Sequence, residues 1–395
     1  MAFQIIFWTT VLALVHTYIA YPLLLRLLAA DKGDNDTVHS RNDALPGVTI
    51  IVPVHNEQSV IREKLSGVLH SEYPTHLIEV LVGSDASTDD TNAIVQSIAQ
   101  DNAGVRLIEF TRRGKPAILN ALVPLAKHDI IILTDANVML DAPTVFELVK
   151  HFKNPDIALV ESNMQHRDAR RDGIGLQESA YLRGDAEVKR AEGVLWGTLM
   201  GPSGGCYALR RSHYVPVPTN FLVDDFYINM KVLAQGGTAI YEGKAVVHED
   251  VSNILREEFR RKVRIATGDF QNLATFAPLL LRPGALAFSF LSHKVLRWIG
   301  PLLLIAAFVS SLAIVLHQHG TMCGANAVYL IGFLGLCMLF LMPVLDLLMR
   351  KANVHVFAIR LLSYFCSVNL ALLIGMFRFM RGVKSGTWKP TERNQ

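Results

Sequence analysis

Three stretches of this chain contain no Lys, Arg, Asp or Glu: Met1 to Leu25, Trp298 to Leu316 and Thr321 to Leu345. A helix rises ~1.5 Å per residue, so about 20 apolar residues cross the hydrocarbon core of a bilayer. Each stretch is therefore long enough to span. A cleaved signal peptide is the competing reading of the first, and it needs positive charge before the apolar run. Here the charges follow it, at Arg26, Lys32 and Arg41. Residues 1–30 read as an uncleaved anchor, with its N-terminus outside and the next segment in the cytoplasm.

Composition agrees. Of 395 residues 51% are hydrophobic and only 18% charged, whereas soluble domains carry about a quarter charged residues. The same figures exclude disorder. The net charge of +3, from 38 Lys and Arg against 35 Asp and Glu, is too balanced for bulk nucleic-acid binding. Cys206, Cys323, Cys337 and Cys366 are scattered with no C-x-x-C pair. Neither a zinc ribbon nor a disulfide framework is indicated.

A fourth run, Leu361 to Phe377, is shorter and carries Asn369. Its flanks are basic on both sides, at Arg350, Lys351 and Arg360 and at Arg378, Arg381 and Lys384. Three firm spans are expected, with this run interfacial or re-entrant. Residues 271–297 are apolar but interrupted by Pro278, Pro283 and Gly284, and end in His293, Lys294 and Arg297. That suits a helix lying on the cytoplasmic face. The expected order is an anchor (1–30), a soluble α/β domain (45–270), the interfacial segment (271–297), C-terminal membrane helices (298–380) and a basic tail (381–395).

Within the soluble part, Val48–Val52, Leu77–Val82 and Asp129–Thr134 read as buried strands. Helical patterns cover roughly 57–70, 88–101 and 115–127. Alternation of this kind predicts a largely parallel, Rossmann-related sheet covered on both faces. Such sheets bind ligands beyond the carboxyl ends of their strands. That rule points at His55-Asn56-Glu57, Gly83-Ser84-Asp85 and Thr134-Asp135-Ala136-Asn137.

The ordered set of motifs resembles family 2 glycosyltransferases with a GT-A fold. Ile51 to Glu57, Gly83 to Thr91, Arg113-Gly-Lys-Pro-Ala117 with Asn120, and Thr134 to Asn137 match the nucleotide-sugar half. Gly204 to Arg210, Val223-Asp-Asp-Phe226 and Arg260 to Arg264 match the acceptor half. Membrane enzymes of this group include poly-N-acetylglucosamine, hyaluronan, chitin and cellulose synthases. The resemblance implies an inverting transferase using a UDP-sugar, of UDP-GlcNAc or UDP-glucose type. Its product would be a β-linked cell-surface or extracellular polysaccharide. Its site would be a multi-pass enzyme in the cell membrane with the catalytic domain in the cytoplasm. The partners implied are the donor, a glycan or lipid-linked acceptor and membrane lipids, with no nucleic acid.

The resemblance also assigns residues. Asp225 becomes the general base, with Asp224 supporting it. Glu57, Asp85, Lys115, Asp135, Asn137, Arg261 and Arg264 become donor-binding. Gly204, Gly205 and Cys206 belong to the acceptor loop. Mg²⁺ or Mn²⁺ is the implied cofactor, because a strand-end carboxylate can hold a hard cation that also grips phosphate oxygens. The family pattern has two carboxylates one residue apart; Asn137 stands in the second place, so Asp135 carries the metal with His248 as a further ligand. Arg256, Arg260 and Arg264 share one helix face. Processive relatives have Trp after the last motif arginine, where this chain has Ile265. That departure leaves single addition to a lipid-linked acceptor as the alternative. A distant alternative is a membrane-bound serine hydrolase, since Gly201-Pro-Ser-Gly-Gly205 fits a nucleophile elbow, with Ser203, Asp225 and His248 in hydrolase order. A non-enzymatic membrane scaffold or transporter is a third class, weakened by the few ionisable groups in the spans.

Overall fold

The computed structural model describes residues 1–167, 175–250, 255–317, 327–352, 354–383 and 386. Helix α1 (Ala2–Ala29) is uncharged up to Arg26 and long and apolar enough to cross a membrane. Its turn His16–Ala20 widens to π-helical geometry just before Pro22. The proline lacks an amide donor and its ring crowds the carbonyl four residues back, so the helix relaxes there.

The α/β part follows as β1 (Val48–Val54), α2 (Ile61–Leu69), β2 (Ile78–Asp85), α3 (Thr91–Asp101), β3 (Val105–Phe110), α4 (Lys115–Leu122) and β4 (Ile130–Thr134). Next come β5 (Val138–Leu140), α5 (Thr144–Val149), β6 (Ile157–Arg167), α6 (Gly175–Trp196), β7 (Cys206–Arg210), α7 (Asp224–Ala234) and β8 (Thr238–Asp250). Every residue of β1, β2 and β4 is buried, as expected of strands covered on both faces. Along β1, Ile51 joins one core while Ile50 and Val52 join the core on the opposite face, which is the period-two alternation of a strand.

The eight strands form one sheet in the order β3-β2-β1-β4-β7-β6-β8-β5. The first four are parallel, with Val48 opposite both Ile78 and Ile130. The other half departs from the expected parallel sheet. Strand β7 runs antiparallel to β4 and β6, and β5 antiparallel to β8. Edge strand β3 does not read as a buried run because Arg106 and Glu109, one on each face, are exposed and interrupt it.

Helix α8 (Leu255–Phe276) runs unbroken through residue 270, so the expected domain boundary there is not a structural break. Short helical turns then lead from Ala277 to Trp298. This segment is not confined to an interface. Phe290, Val295 and Trp298 are buried in the same core as Phe226 of α7. The Phe226 ring lies 5.1 Å from that of Trp298 and 6.0 Å from that of Phe290.

Helices α9 (Gly300–His317), α10 (Ala327–Lys351) and α11 (Phe357–Met380) complete four helices long and apolar enough to cross a membrane. The fourth contains the run 361–377, for which an interfacial or re-entrant segment was expected, within one continuous helix. The helix extends beyond that run at both ends, and Arg360, with Asp346 beside it, is buried against α10 rather than ending the helix. The start of the 321–345 run and the tail beyond residue 386 lie outside the described residues.

Helix α11 crosses α8 at Gly375, where an added Cβ would lie 2.5 Å from Ala266 Cβ and 2.8 Å from the Thr267 backbone nitrogen. Gly375→Val therefore forces the helices apart. A loss of about 1–3 kcal/mol is expected, read as a lower melting temperature of the detergent-purified protein; an unchanged value would mean that this crossing does not form. Four crossings are an even number, so reporters fused at the N-terminus and after Gln395 should report the same side of the membrane. Opposite sides would mean that one of the four helices does not span.

Candidate active site

The carboxyl ends of β1 and β2 are latched together. Asn56 and Ala86 adopt positive φ, 55° and 57°, a strained conformation for side-chain-bearing residues. It lets Asn56 Oδ1 accept the Thr88 N–H at 2.8 Å and His55 Nδ1 approach the Asp85 carbonyl at 2.9 Å. Glu57 is buried at this corner, and its own N–H donates to Thr91 Oγ1 at 2.8 Å.

Asp85 is fully buried and turned toward the next loop. Its carboxylate accepts from Arg112 Nη1 at 2.8 Å, the Arg113 N–H at 2.6 Å and the Gly114 N–H at 3.0 Å. Asp85 was expected to contact the nucleoside; here its two oxygens hold these three donors of the loop. Asp85 shapes the loop that presents Lys115. Gly114 at φ 87° makes the turn into α4, a conformation that glycine reaches without a Cβ clash.

Lys115 is the hub of the site. Its Nζ lies 2.8 Å from Asp135 Oδ1 at the end of β4 and 3.5 Å from Asp224 Oδ2 at the start of α7. Burial would lower its pKa, but Asp135 and Asp224 outweigh this and raise it. Asp225 lies beside them. Burial, then the Asp224 charge, push it up to about 7, against the opposing pull of Lys115 and of the Phe226 N–H. The acidic pair opens a helix, where the dipole favours negative charge and neighbouring residues point in different directions. Asp224 accordingly turns to Lys115 while Asp225 faces the loop at Gly204. A Cβ on Gly204 would sit 2.2 Å from Asp225 Oδ2, and φ there is 80°.

From α8, Arg256 and Arg260 point to solvent while Arg264 turns inward. Burial and the Arg261 charge lower the Arg264 pKa, and Asp224, Asp135 and Asp225 oppose this. Arg261 pairs with Glu258 at 2.9 Å and approaches Glu249 at 3.9 Å. Glu249 also accepts from Asn137 Nδ2 at 3.4 Å. The structure thus gathers Lys115, Asp135, Asp224, Asp225 and Arg264, with Arg261 and Asn137 tied in through Glu249.

Other expected residues are placed elsewhere. His248 Nε2 lies 3.0 Å from Asp141 Oδ1, opposite Met139 of β5, and no cluster of three metal-ligating side chains occurs among the described residues. Cys206 is sealed inside the sheet, where burial pushes its thiol up. The Gly205 carbonyl is consumed by the Asp135 N–H at 3.0 Å and Thr134 Oγ1 at 2.9 Å. Ser203 Oγ donates to Glu161 at 2.7 Å, so Ser203 and His248 form no nucleophile–base pair and the hydrolase reading falls.

Asp135 and Asn137 offer hard oxygen donors one residue apart at a strand end. That chemistry fits Mg²⁺ or Mn²⁺ only with further oxygens from a ligand and water.

Three residues escaped the sequence reading. Asp269 of α8 is pushed up to about 8 by burial and the Asp225 charge, against Lys294. Tyr207 is buried under the acidic group with its hydroxyl unpartnered. Lys64 is buried and donates to Thr134 Oγ1 at 2.7 Å and to the Val138 carbonyl, flanking Asp135; burial brings it down to about 8. Tyr207 lay inside a quoted motif, but Asp269 and Lys64 carried only helical spacing.

Residues 49–215 match the model of glycosyl transferase family 2. The poly-beta-1,6-N-acetyl-D-glucosamine synthase of Staphylococcus aureus (strain COL) is 26% identical over 235 residues, 58% of this chain and 56% of that protein. The synthase of the same name from Staphylococcus epidermidis is 24% identical over 241 residues, 60% and 58% of the two chains. The match thus spans little more than half the length of these curated relatives. The mannosyltransferase PcManGT from Pyrobaculum calidifontis, solved in complex with GDP-Man and Mn²⁺, superposes with a TM-score of 0.68 at 22% identity. That similarity in fold covers 95% of this chain and 99% of the other. With the strand-end carboxylates and the motif order on the same sheet, residues 49–215 are a glycosyl transferase family 2 domain built on a GT-A-like α/β fold.

Proposed function

We propose that the chain is a membrane-bound inverting glycosyltransferase that uses a UDP-sugar of the UDP-GlcNAc type to extend a β-linked surface polysaccharide. The observation that carries this reading is the single Lys115 held between Asp135 and Asp224, beside an Asp225 pushed up to about 7. Transfer from a nucleotide sugar needs positive charge at the departing diphosphate and a base at the acceptor hydroxyl. Lys115 and Arg264 supply the first and Asp225 the second. A carboxyl group near neutrality both exists as a base and holds a proton well enough to take one. One base and one in-line attack, with no carboxylate nucleophile, invert the anomeric centre. The similarity to poly-beta-1,6-N-acetyl-D-glucosamine synthases supports the sugar and the polymer. Four apolar helices support a membrane location, with the domain on the cytoplasmic side.

A divalent cation, held by Asp135 and the Asn137 amide oxygen, would add charge neutralisation at the diphosphate. PcManGT was solved with Mn²⁺. EDTA in excess should abolish turnover, Mn²⁺ or Mg²⁺ should restore it, and Asp135→Ala should not respond to either. Undiminished turnover in EDTA would remove the metal from the reading.

A second reading is one addition to a lipid-linked acceptor, favoured by Ile265 where processive relatives carry Trp. The purified protein in lipid is to be offered radiolabelled UDP-GlcNAc, UDP-glucose and GDP-mannose, with product size measured. A polymer from one donor supports the first reading, and a single-residue product the second. If no donor is turned over, both fail.

Asp225→Asn should lose about 10²–10⁴-fold in transfer while nucleotide affinity is retained. In the unaltered protein the rate should rise with pH up to about 7 and then level, because only the deprotonated carboxylate accepts a proton. Asp224→Asn removes the like charge that raises Asp225, so this limb should move to lower pH. A profile flat between pH 5 and 8 would remove Asp225 as the base.

A further inference from the structure

A polar cavity of about 530 Å³ lies behind the loop that carries Gly204, and none of the roles above uses it. Ser203 forms one wall, β6 contributes Asn163, Met164 and Gln165, and β8 contributes Tyr241. Helix α6 closes the remaining side. We propose that this cavity is the acceptor site, seating neutral sugar residues of the glycan next to the one that reacts. The inference rests on the transferase reading, since it takes Asp225 as the base.

Placement is the first argument. Ser203 and Gly204 are consecutive, so their Cα atoms are about 3.8 Å apart. Gly204 packs so closely on Asp225 that a Cβ would meet its carboxylate at 2.2 Å. The loop thus presents Ser203 to the cavity and the next residue to Asp225, and forms a wall common to both. Met164 continues the contact, because a Cβ on Gly205 would lie 2.2 Å from its methyl group.

Chemistry is the second. A sugar ring has apolar C–H faces and a rim of hydroxyls. Tyr241 and Met164 offer apolar surface, and Asn163, Gln165 and Ser203 offer donors and acceptors together. The volume falls within the roughly 300–1,000 Å³ of small-ligand pockets. Tyr241 also supplies an aromatic ring that Ile265 does not.

Charge selects among polar ligands. Glu187 on the cavity wall pairs with Arg26 of α1, and Arg190 with Asp34 at 3.0 Å. Asp185 takes His293 at 2.8 Å and Arg297 at 3.0 Å. Glu187 and Arg190 are paired at the exposed rim, Asp185 is paired in buried contacts, and Arg183 on the same wall is also engaged, so the cavity suits a neutral hydroxylated ligand better than a phosphate.

The wall is also pre-formed. Glu161 is 1% exposed. Its Oε1 accepts the Ser203 N–H and hydroxyl, each at 2.7 Å, and Lys189 at 2.9 Å. A site whose supporting groups are locked this way loses little order on binding.

The test uses the full chain in lipid nanodiscs. Saturation-transfer NMR is recorded with β-1,6-linked GlcNAc, β-1,4-linked GlcNAc and α-linked mannose oligomers, and with a polyprenyl phosphate. Ala186→Trp fills the cavity from α6, and Tyr241→Ala removes the ring. At least one neutral oligosaccharide should bind the unaltered protein. Its affinity should fall at least tenfold in Ala186→Trp and in Tyr241→Ala, with recovery in Tyr241→Phe. Donor turnover without acceptor, read as nucleotide diphosphate release, should be unchanged in all three. No oligosaccharide binding, binding equal in Ala186→Trp, or binding of the polyprenyl phosphate alone would overturn the proposal. Absence of nucleotide release by the unaltered protein supplied with both donor and oligosaccharide would instead overturn the transferase reading, and the binding result would still decide the cavity.

Discussion

The pairing of β7 with β4 is the constraint on which the rest depends. Thr134 lies opposite Cys206 in an antiparallel ladder, and the ladder continues one step as the Asp135 N–H donates to the Gly205 carbonyl. Buried amides must find partners, so this register is strongly held. It brings a loop far along the chain against the strand end that carries Asp135. A slip of one residue would reverse every side chain of β7. It would also move Gly204 off Asp225.

The charges gathered there explain one another. Three carboxylates in a half-buried cleft repel, and removal from water makes that repulsion costly. Lys115 offsets it by bridging Asp135 and Asp224, while burial and the Asp224 charge raise the pKa of Asp225. The Asp85 carboxylate maintains this arrangement from a distance by gripping three donors of the loop before Lys115. A residue expected to touch the nucleoside also fixes the loop that carries the Lys115 cation.

The membrane part is continuous with this site rather than appended to it. Phe226, one residue after Asp225, packs on Phe290 and Trp298. Val223, one residue before the acidic pair, abuts Gly268 of α8, where a Cβ would lie 2.5 Å from its side chain. On its other face α8 meets α11 at Gly375. Tyr21 of α1 donates to Glu192 at 2.9 Å, and Glu192 in turn holds His293 and the Met200 N–H. Both ends of the loop from Met200 to Gly205 are therefore held by buried polar groups, one set reaching into the first membrane helix. Tight packing transmits displacement, so movement of the apolar helices and the position of Asp225 are mechanically linked.

Much of this was legible in the chain. Uncharged runs announce membrane helices because lipid tolerates little else, and β-branched runs followed by polar clusters announce parallel strands with ligands at their carboxyl ends. The order of the motifs named the domain, and the adjacency of Asp224 and Asp225 marked the acidic pair. Local sequence could not decide which polar groups face each other. Whether Asp85 meets a ligand or Arg112, and whether His248 meets Asp135 or Asp141, depends on strand register between segments far apart. The antiparallel half of the sheet was hidden for the same reason: strand direction is set by long connections, not by the residues of the strand. Asp269 and Tyr241 carry no motif, and only tertiary packing placed one near Asp225 and the other in a cavity beside Ser203. Side-chain type and spacing determine what chemistry a residue can perform, while the shared burial that couples charges exists only once distant segments have closed around them.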